Sequence, residues 1–176
     1  MVLGQLTRGC TWRDPNNLTS LYKVYVRPHL EYAQASWNPW TEADIETLER
    51  VQHRFTRQVS GIGSLPYEER LTRLGLTTLE ERRDRGDMIE TYKIMTGKVD
   101  VQLGTWFTPL VSREGAASTR ETSGYLNLAR REAKSALRQN QFSYRVVTRW
   151  NSLPNQVKNQ DTLDNFKNAY DNYMQN

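Results

Sequence analysis

Cationic side chains in the second half of the chain are the residues best suited to bind a ligand. If residues 130–149 form one helix, six cations fall within about 100° of one another around its axis. Such a stripe can follow a phosphate backbone, because each cation neutralises a negative charge. The pattern is equally typical of the solvated face of a half-buried helix, and Asn140-Gln141 would divide the stripe if it interrupted the helix. The six residues are Arg130, Arg131, Lys134, Arg138, Arg145 and Arg149.

A smaller basic group lies in the first half of the chain. Arg50, Arg54 and Arg57 share one side of a predicted helix with His53. Acidic residues lie beside them, so ion pairs within the helix are the default interpretation and nucleic-acid binding is the alternative. The neighbouring acids are Glu42, Glu46 and Glu49.

Motifs of known catalytic chemistry are missing from the sequence. It contains no phosphate-binding glycine loop, no His-Glu-x-x-His and no Gly-x-Ser-x-Gly. Two histidines and one cysteine exclude the usual Cys/His zinc sites and an internal disulfide framework. No nucleophile, base and oxyanion donor can be grouped together, so we expect no catalytic residue, no metal and no cofactor.

The composition is that of a folded, polar protein. The 176 residues suffice for one domain or two small ones. Mean hydropathy is −0.78, yet five Trp, nine Tyr and four Phe argue against disorder. The net charge of +4 arises in residues 113–149, which hold 8 basic and 3 acidic side chains and so favour a polyanionic partner.

The longest uncharged stretch, residues 101–112, is too short to cross a membrane. We therefore expect an intracellular protein, nuclear or cytoplasmic, with no membrane partner.

The spacing of apolar residues predicts a mainly α protein, a multi-helix bundle that leaves room for a short β-hairpin near residues 119–130. Thr41 with Asp44, and Thr78 with Glu81, form capping patterns at two helix starts. Pro28 ends or kinks the first helix, and residues 1–13 show no capped element. Helices are expected near residues 18–26, 41–59, 64–75, 78–96, 132–150 and 163–174. Three regions follow: a helical region 1–98, a linker 99–131 with the short strand, and a C-terminal helical region 132–176.

Several motifs together resemble one protein family. The run from Leu21 to Ala33 reads LYKVYVRPHLEYA, and similar agreement occurs at residues 44–57, 67–71, 79–87, 142–147 and 150–154. This combination resembles the thumb and C-terminal region of non-LTR (LINE-type) retrotransposon reverse transcriptases. The resemblance covers nearly the whole chain, and residues 113–134 match least.

The resemblance implies a helical thumb that grips a template–primer duplex by its backbone, with RNA, DNA or an RNA–DNA hybrid as partner. The metal-binding Asp-Asp motif of the polymerase palm is not in this sequence. Two-metal phosphoryl transfer needs those carboxylates, so the chain is not expected to polymerise by itself, although its parent polypeptide would be an RNA-directed DNA polymerase. Further partners would be that palm or a second copy of the chain.

Two functions stay open at this stage. The first is a nucleic-acid-binding thumb and C-terminal region without its own catalytic site. The alternative is a stand-alone, retroelement-derived helical protein that acts as a protein-interaction or self-associating module.

Overall fold

The computed structural model describes residues 2–9, 13–110 and 127–175, and in them the protein is mainly helical, as the sequence predicts. The helices are α1 (Val2–Gly9), α2 (Pro15–Leu21), a π-helix (Tyr22–Val26), α3 (Arg27–Glu31), α4 (Gln34–Trp37), α5 (Glu42–Arg57), α6 (Tyr67–Leu74), α7 (Leu79–Met95), α8 (Leu103–Trp106), α9 (Ala136–Gln139), α10 (Phe142–Ser152), α11 (Asn155–Lys158) and α12 (Leu163–Gln175).

The chain forms two compact units, Met1–Asp84 and Arg85–Asn176. The boundary lies inside α7, whereas the predicted regions 1–98, 99–131 and 132–176 divide the chain elsewhere. In the described ranges, no helix is both long enough and apolar enough to span a membrane.

The first unit is built around the helix that contains Pro28. Asp14 caps α2 by accepting a hydrogen bond from the Asn17 N–H at 3.1 Å. The helix then widens into a π-turn directly before Pro28. In a regular α-helix the proline ring would collide with the carbonyl of Val24, so the wider turn lets the helix continue to Glu31 instead of ending.

The core of the first unit consists of apolar side chains from α1, α2, the π-helix, α5, α6 and the chain that follows α5 and α6. Tyr22 stacks on Phe55 with ring centroids 4.0 Å apart. The predicted capping at Thr41 is confirmed, because its hydroxyl accepts from the Asp44 N–H. Helix α1 forms in the segment that showed no capped element; its Leu3 is buried in this core, and tertiary packing of this kind stabilises a short helix.

The second unit packs around aromatic side chains. Tyr92 of α7 stacks on Phe166 of α12 at 4.3 Å, and Trp150 of α10 lies 6.2 Å from Phe166. All three side chains are fully buried. The capping box at the start of α7 is confirmed, with Thr78 and Glu81 each accepting from the other's backbone N–H.

The predicted helix over residues 132–150 is wrong in its continuity. Residues 130–135 precede α9 as irregular chain, and α9 ends at Gln139. The Asn140 side chain donates to the Ala136 carbonyl at 2.8 Å, a local bond that competes with helix propagation. Gln141 then takes an extended conformation (ψ 147°) as the N-cap of α10.

Most of the predicted hairpin near residues 119–130 falls outside the described ranges; of its described residues, Leu128 forms one isolated antiparallel bridge, with Pro109. The flanking bonds run from the Leu110 N–H to the Asn127 carbonyl and from the Ala129 N–H to the Thr108 carbonyl. Pro109 lacks an N–H and cannot extend the ladder through itself. Residues 119–126 lie outside the described ranges.

Candidate functional site

Arg145, the central cation of the predicted stripe, is held by a carboxylate. Its Nε and Nη2 donate to both oxygens of Asp87 at 2.7 and 2.9 Å, and its Nη1 donates to the Asn140 carbonyl at 2.9 Å. The side chains of Arg145 and Asp87 are 16% and 4% exposed. This bidentate pair joins α10 to α7, so Arg145 stabilises the second unit instead of presenting its charge to a ligand.

Other members of the stripe are separated from one another. Arg138 donates to the Tyr144 hydroxyl at 3.0 Å and lies over that ring. Arg131 precedes α9 and donates to the Thr108 hydroxyl at 2.8 Å. The remaining three cations are exposed: Arg130 and Lys134 lie on irregular chain before α9, and Arg149 lies on α10.

The prediction of six cations on one helical stripe is therefore wrong. Residues share one helical stripe only if they lie on the same uninterrupted helix. The interruption at Asn140-Gln141 separates α9 from α10. Arg145 is in addition neutralised by Asp87.

The basic residues of α5, unlike Arg145, are not neutralised by any described carboxylate. Arg50, Arg54 and Arg57 are all exposed, and none forms an ion pair with a residue that the structure describes. Arg50 donates instead to the Thr47 hydroxyl at 3.0 Å. The default interpretation, ion pairs within this helix, is thus wrong, and three guanidinium groups face solvent.

Glu49 does not neutralise these arginines because it is bonded on the core side of α5. Its carboxylate accepts from the Leu79 N–H at 3.0 Å, at the start of α7, and from the Tyr67 hydroxyl. Burial and this bond to Glu49 raise the pKa of Tyr67 above its ordinary value. Gln52, which is buried, accepts from the Tyr22 hydroxyl at 2.9 Å and donates to the Thr77 carbonyl at 2.9 Å.

A second positive feature lies at the C-terminal end of α5. Arg70, only 2% exposed, donates to the His53 carbonyl at 3.1 Å and to the Thr56 hydroxyl at 2.6 Å. Burial lowers the pKa of Arg70, and the charge of Arg57 lowers it further. The His53 ring stacks on Tyr67 at 3.5 Å, and its pKa is lowered by burial and then by Arg70. Cationic groups therefore accumulate around this helix end.

Sequence reasoning missed Arg70 because its side chain is buried, which the pattern around Tyr67-Glu68-Glu69 does not indicate. It also missed Lys158, which is 1% exposed and donates to the Asn127 side-chain oxygen at 2.8 Å. No described carboxylate pairs with Lys158, and burial lowers its pKa.

Aromatic side chains are exposed in the first unit between the π-helix and α5. Tyr32 is 81% exposed, and Tyr25, Trp37 and Trp40 are between 39% and 55% exposed. The indole N–H of Trp37 donates to the Tyr32 carbonyl at 2.5 Å, so these two residues form one local structure. Exposed aromatic side chains can mark a site of interaction with another molecule.

Within residues 2–9, 13–110 and 127–175, no group of three or more His, Cys, Asp or Glu side chains could hold a metal ion. Comparison of the chain with protein-family models, curated proteins and solved structures finds no match. The proposals below therefore stand on the residues and contacts of the chain itself and on the resemblance of its motifs.

Proposed function

We propose that this chain binds the sugar–phosphate backbone of RNA or DNA through Arg50, Arg54 and Arg57 on α5. One observation carries the proposal: these three guanidinium groups are exposed on one face and no described carboxylate neutralises them. Along the helix axis they are separated by about 6 Å and about 4.5 Å, at 1.5 Å per residue. A guanidinium donates two parallel hydrogen bonds to a phosphate, which makes arginine well suited to this contact.

The motif resemblance supports an RNA–DNA hybrid as the substrate, with the chain as the thumb and C-terminal part of a reverse transcriptase. In this proposal the chain supplies grip and register on the duplex, and the chemical step belongs to the parent polymerase. A nucleic-acid partner would place this function in the nucleus or the cytoplasm.

The test is fluorescence anisotropy of a labelled short RNA–DNA hybrid with the full chain. Replacing Arg50, Arg54 and Arg57 together by Ala should weaken binding at least about tenfold at low salt, because each phosphate contact contributes to the salt-dependent affinity. The matched control replaces Arg130, Arg131 and Lys134, three exposed cations outside regular helices. Equal effects of the two triple variants would show that binding follows net charge alone and would overturn the assignment to α5.

A second candidate function has its own observation, the exposed aromatic side chains Tyr25, Tyr32, Trp37 and Trp40. They favour a helical module that binds a protein partner or a second copy, since aromatic residues are enriched at protein interfaces. Changing Tyr25 and Tyr32 to Ser should then reduce association measured by light scattering while leaving hybrid binding unchanged. Unchanged association would contradict a role for this surface.

A further inference from the structure

Helix α5 carries a row of four exposed charges. Glu42, Glu46, Arg50 and Arg54 follow one another at intervals of four residues, so they form a single i, i+4 ridge on the helix surface. All four side chains are exposed, and none forms an ion pair with a described residue. Along the ridge the order of charge is acid, acid, base, base.

The helix dipole accounts for only the ends of this row. Glu42 lies in the first turn and Arg54 in the last turn, where the dipole favours those signs. The dipole effect decays within one turn, so it does not explain Glu46 and Arg50 in the middle of the helix. Glu followed by Arg four residues later is also the favoured order for a pair within one helix, yet Arg50 bonds to Thr47 instead.

We propose that α5 packs antiparallel against α5 of a second copy of this chain. In the register centred on residue 48, Glu42 faces the second copy's Arg54 and Glu46 faces its Arg50. The two-fold axis repeats both pairs, which gives four opposite-charge contacts in an isologous interface. Parallel packing would place like charges opposite each other, so the charge order selects the antiparallel arrangement.

Helix geometry is compatible with this contact. When two helices cross at about −50°, their i, i+4 ridges run side by side, which brings one charged row along the other. The exposed residues Ala43 and Thr47 flank the row, and their small side chains allow the helices to approach. Exposed ion pairs are individually weak and are screened by salt, so the dimer forms at high protein concentration and dissociates as salt is added.

Arg50 and Arg54 serve both this interface and the proposed contact with nucleic acid. A phosphate backbone and a second copy would therefore compete for the same face of α5. The competition rests on the proposed function, whereas the dimer stands on the charge row alone and is tested without nucleic acid.

The experiment uses two variants of the full chain that cannot pair with themselves. Glu42→Arg/Glu46→Arg makes the row entirely basic, and Arg50→Glu/Arg54→Glu makes it entirely acidic. Sedimentation at low salt should show that the wild type dimerises at high concentration. The self-association of each variant alone should be at least about tenfold weaker than that of the wild type. A one-to-one mixture of the two variants should recover a dimer that dissociates in high salt. Circular dichroism shows whether both variants are folded, and Glu42→Lys/Glu46→Lys or Arg50→Asp/Arg54→Asp, which reverse the same charges, replace either one that is not.

Two results would overturn the dimer: a mixture that stays monomeric although both variants are folded, or a wild-type association that neither variant changes. Hybrid binding separates this outcome from failure of the proposed function. Glu42→Arg/Glu46→Arg should lose the dimer and bind the hybrid at least as tightly as the wild type, because it adds cations beside the proposed contact, whereas Arg50→Glu/Arg54→Glu should lose both. A hybrid that leaves the wild-type dimer intact at saturating concentration would refute competition alone.

Discussion

Arg145 and Arg54 are both arginines on amphipathic helices, yet their neighbours give them different roles. Arg145 meets a carboxylate that is 4% exposed, and the pair is bidentate. Arg54 lies on a solvent-facing ridge with no described carboxylate within reach. Residue type alone does not distinguish a structural cation from one that can bind a ligand; the position of the nearest carboxylate does.

His53 should make stability depend on pH. Burial and then the charge of Arg70 lower its pKa below the ordinary 6.5; Glu49 opposes them to a smaller extent, and the effects of Arg57 (lowering) and Glu68 (raising) are smaller still. The unfolded chain therefore binds a proton more tightly than the folded chain, and stability is lost as the pH falls below about 6.5.

The measurement is urea unfolding above and below that pH for the wild type and for His53→Phe, which retains a ring against Tyr67. The difference in stability between the two proteins should shift in favour of the Phe variant at low pH. A pH-independent difference for His53→Phe would contradict the prediction.

The protein should be more stable with an apolar residue in place of Lys158. Its ammonium group is buried and bonds to Asn127, but no described carboxylate compensates its charge. Lys158→Met retains the length of the side chain and its contact with Trp150. We expect a gain of about 1 kcal/mol in the free energy of unfolding, because burial of a charge is unfavourable. Lys167→Met, a cation in an exposed pair with Asp164, should change stability by less than about 0.5 kcal/mol. A loss of stability in Lys158→Met would count against this view.

At the scale of elements, helices are joined by polar contacts between residues far apart in the chain. Glu49 of α5 accepts from the first N–H of α7, and Gln52 connects α5 to the π-helix and to the chain before α7. Apolar periodicity predicts α5 itself, but it cannot predict that Glu49 turns away from the arginines toward a helix start 30 residues later.

The Arg145–Asp87 pair should stabilise the second unit strongly. Arg145→Gln removes the guanidinium that donates to both oxygens of the buried Asp87 carboxylate and should cost about 3 kcal/mol in the free energy of unfolding. Adding Asp87→Asn should restore part of that loss, because the carboxylate charge is then removed together with that of its partner. A double-mutant cycle followed by urea unfolding measures the coupling.

The comparison for this cycle is Arg85–Asp171, which joins α7 to α12 and is 31% and 38% exposed. More complete solvation screens this pair, so its coupling should stay below about 1 kcal/mol. Equal coupling for the two pairs would show that burial does not set their strength.

At the scale of the whole molecule, the salt dependence of binding reports how many cations contact the backbone. Six cations on one stripe would give a slope of about −4 to −5 in log affinity against log salt, at roughly 0.7–0.9 per phosphate. Three arginines on α5 would give a slope of about −2 to −3. We expect the shallower slope in an anisotropy titration of the wild-type chain on a short hybrid. A slope near −5 would contradict the assignment to α5 and would indicate that cations of the C-terminal region also contact the backbone.

Sequence alone determined the mainly helical fold, the capped starts of α5 and α7 and the grouping of Arg50, Arg54 and Arg57 on one side of α5. These features depend on local hydrogen bonds and on the 3.6-residue period, which involve residues close together in the chain. The capture of Arg145 by Asp87 and the burial of Arg70 and Lys158 were decided by tertiary structure. Each depends on atoms brought together from distant positions, and the free energy of a charge is set by those neighbours and by its distance from water.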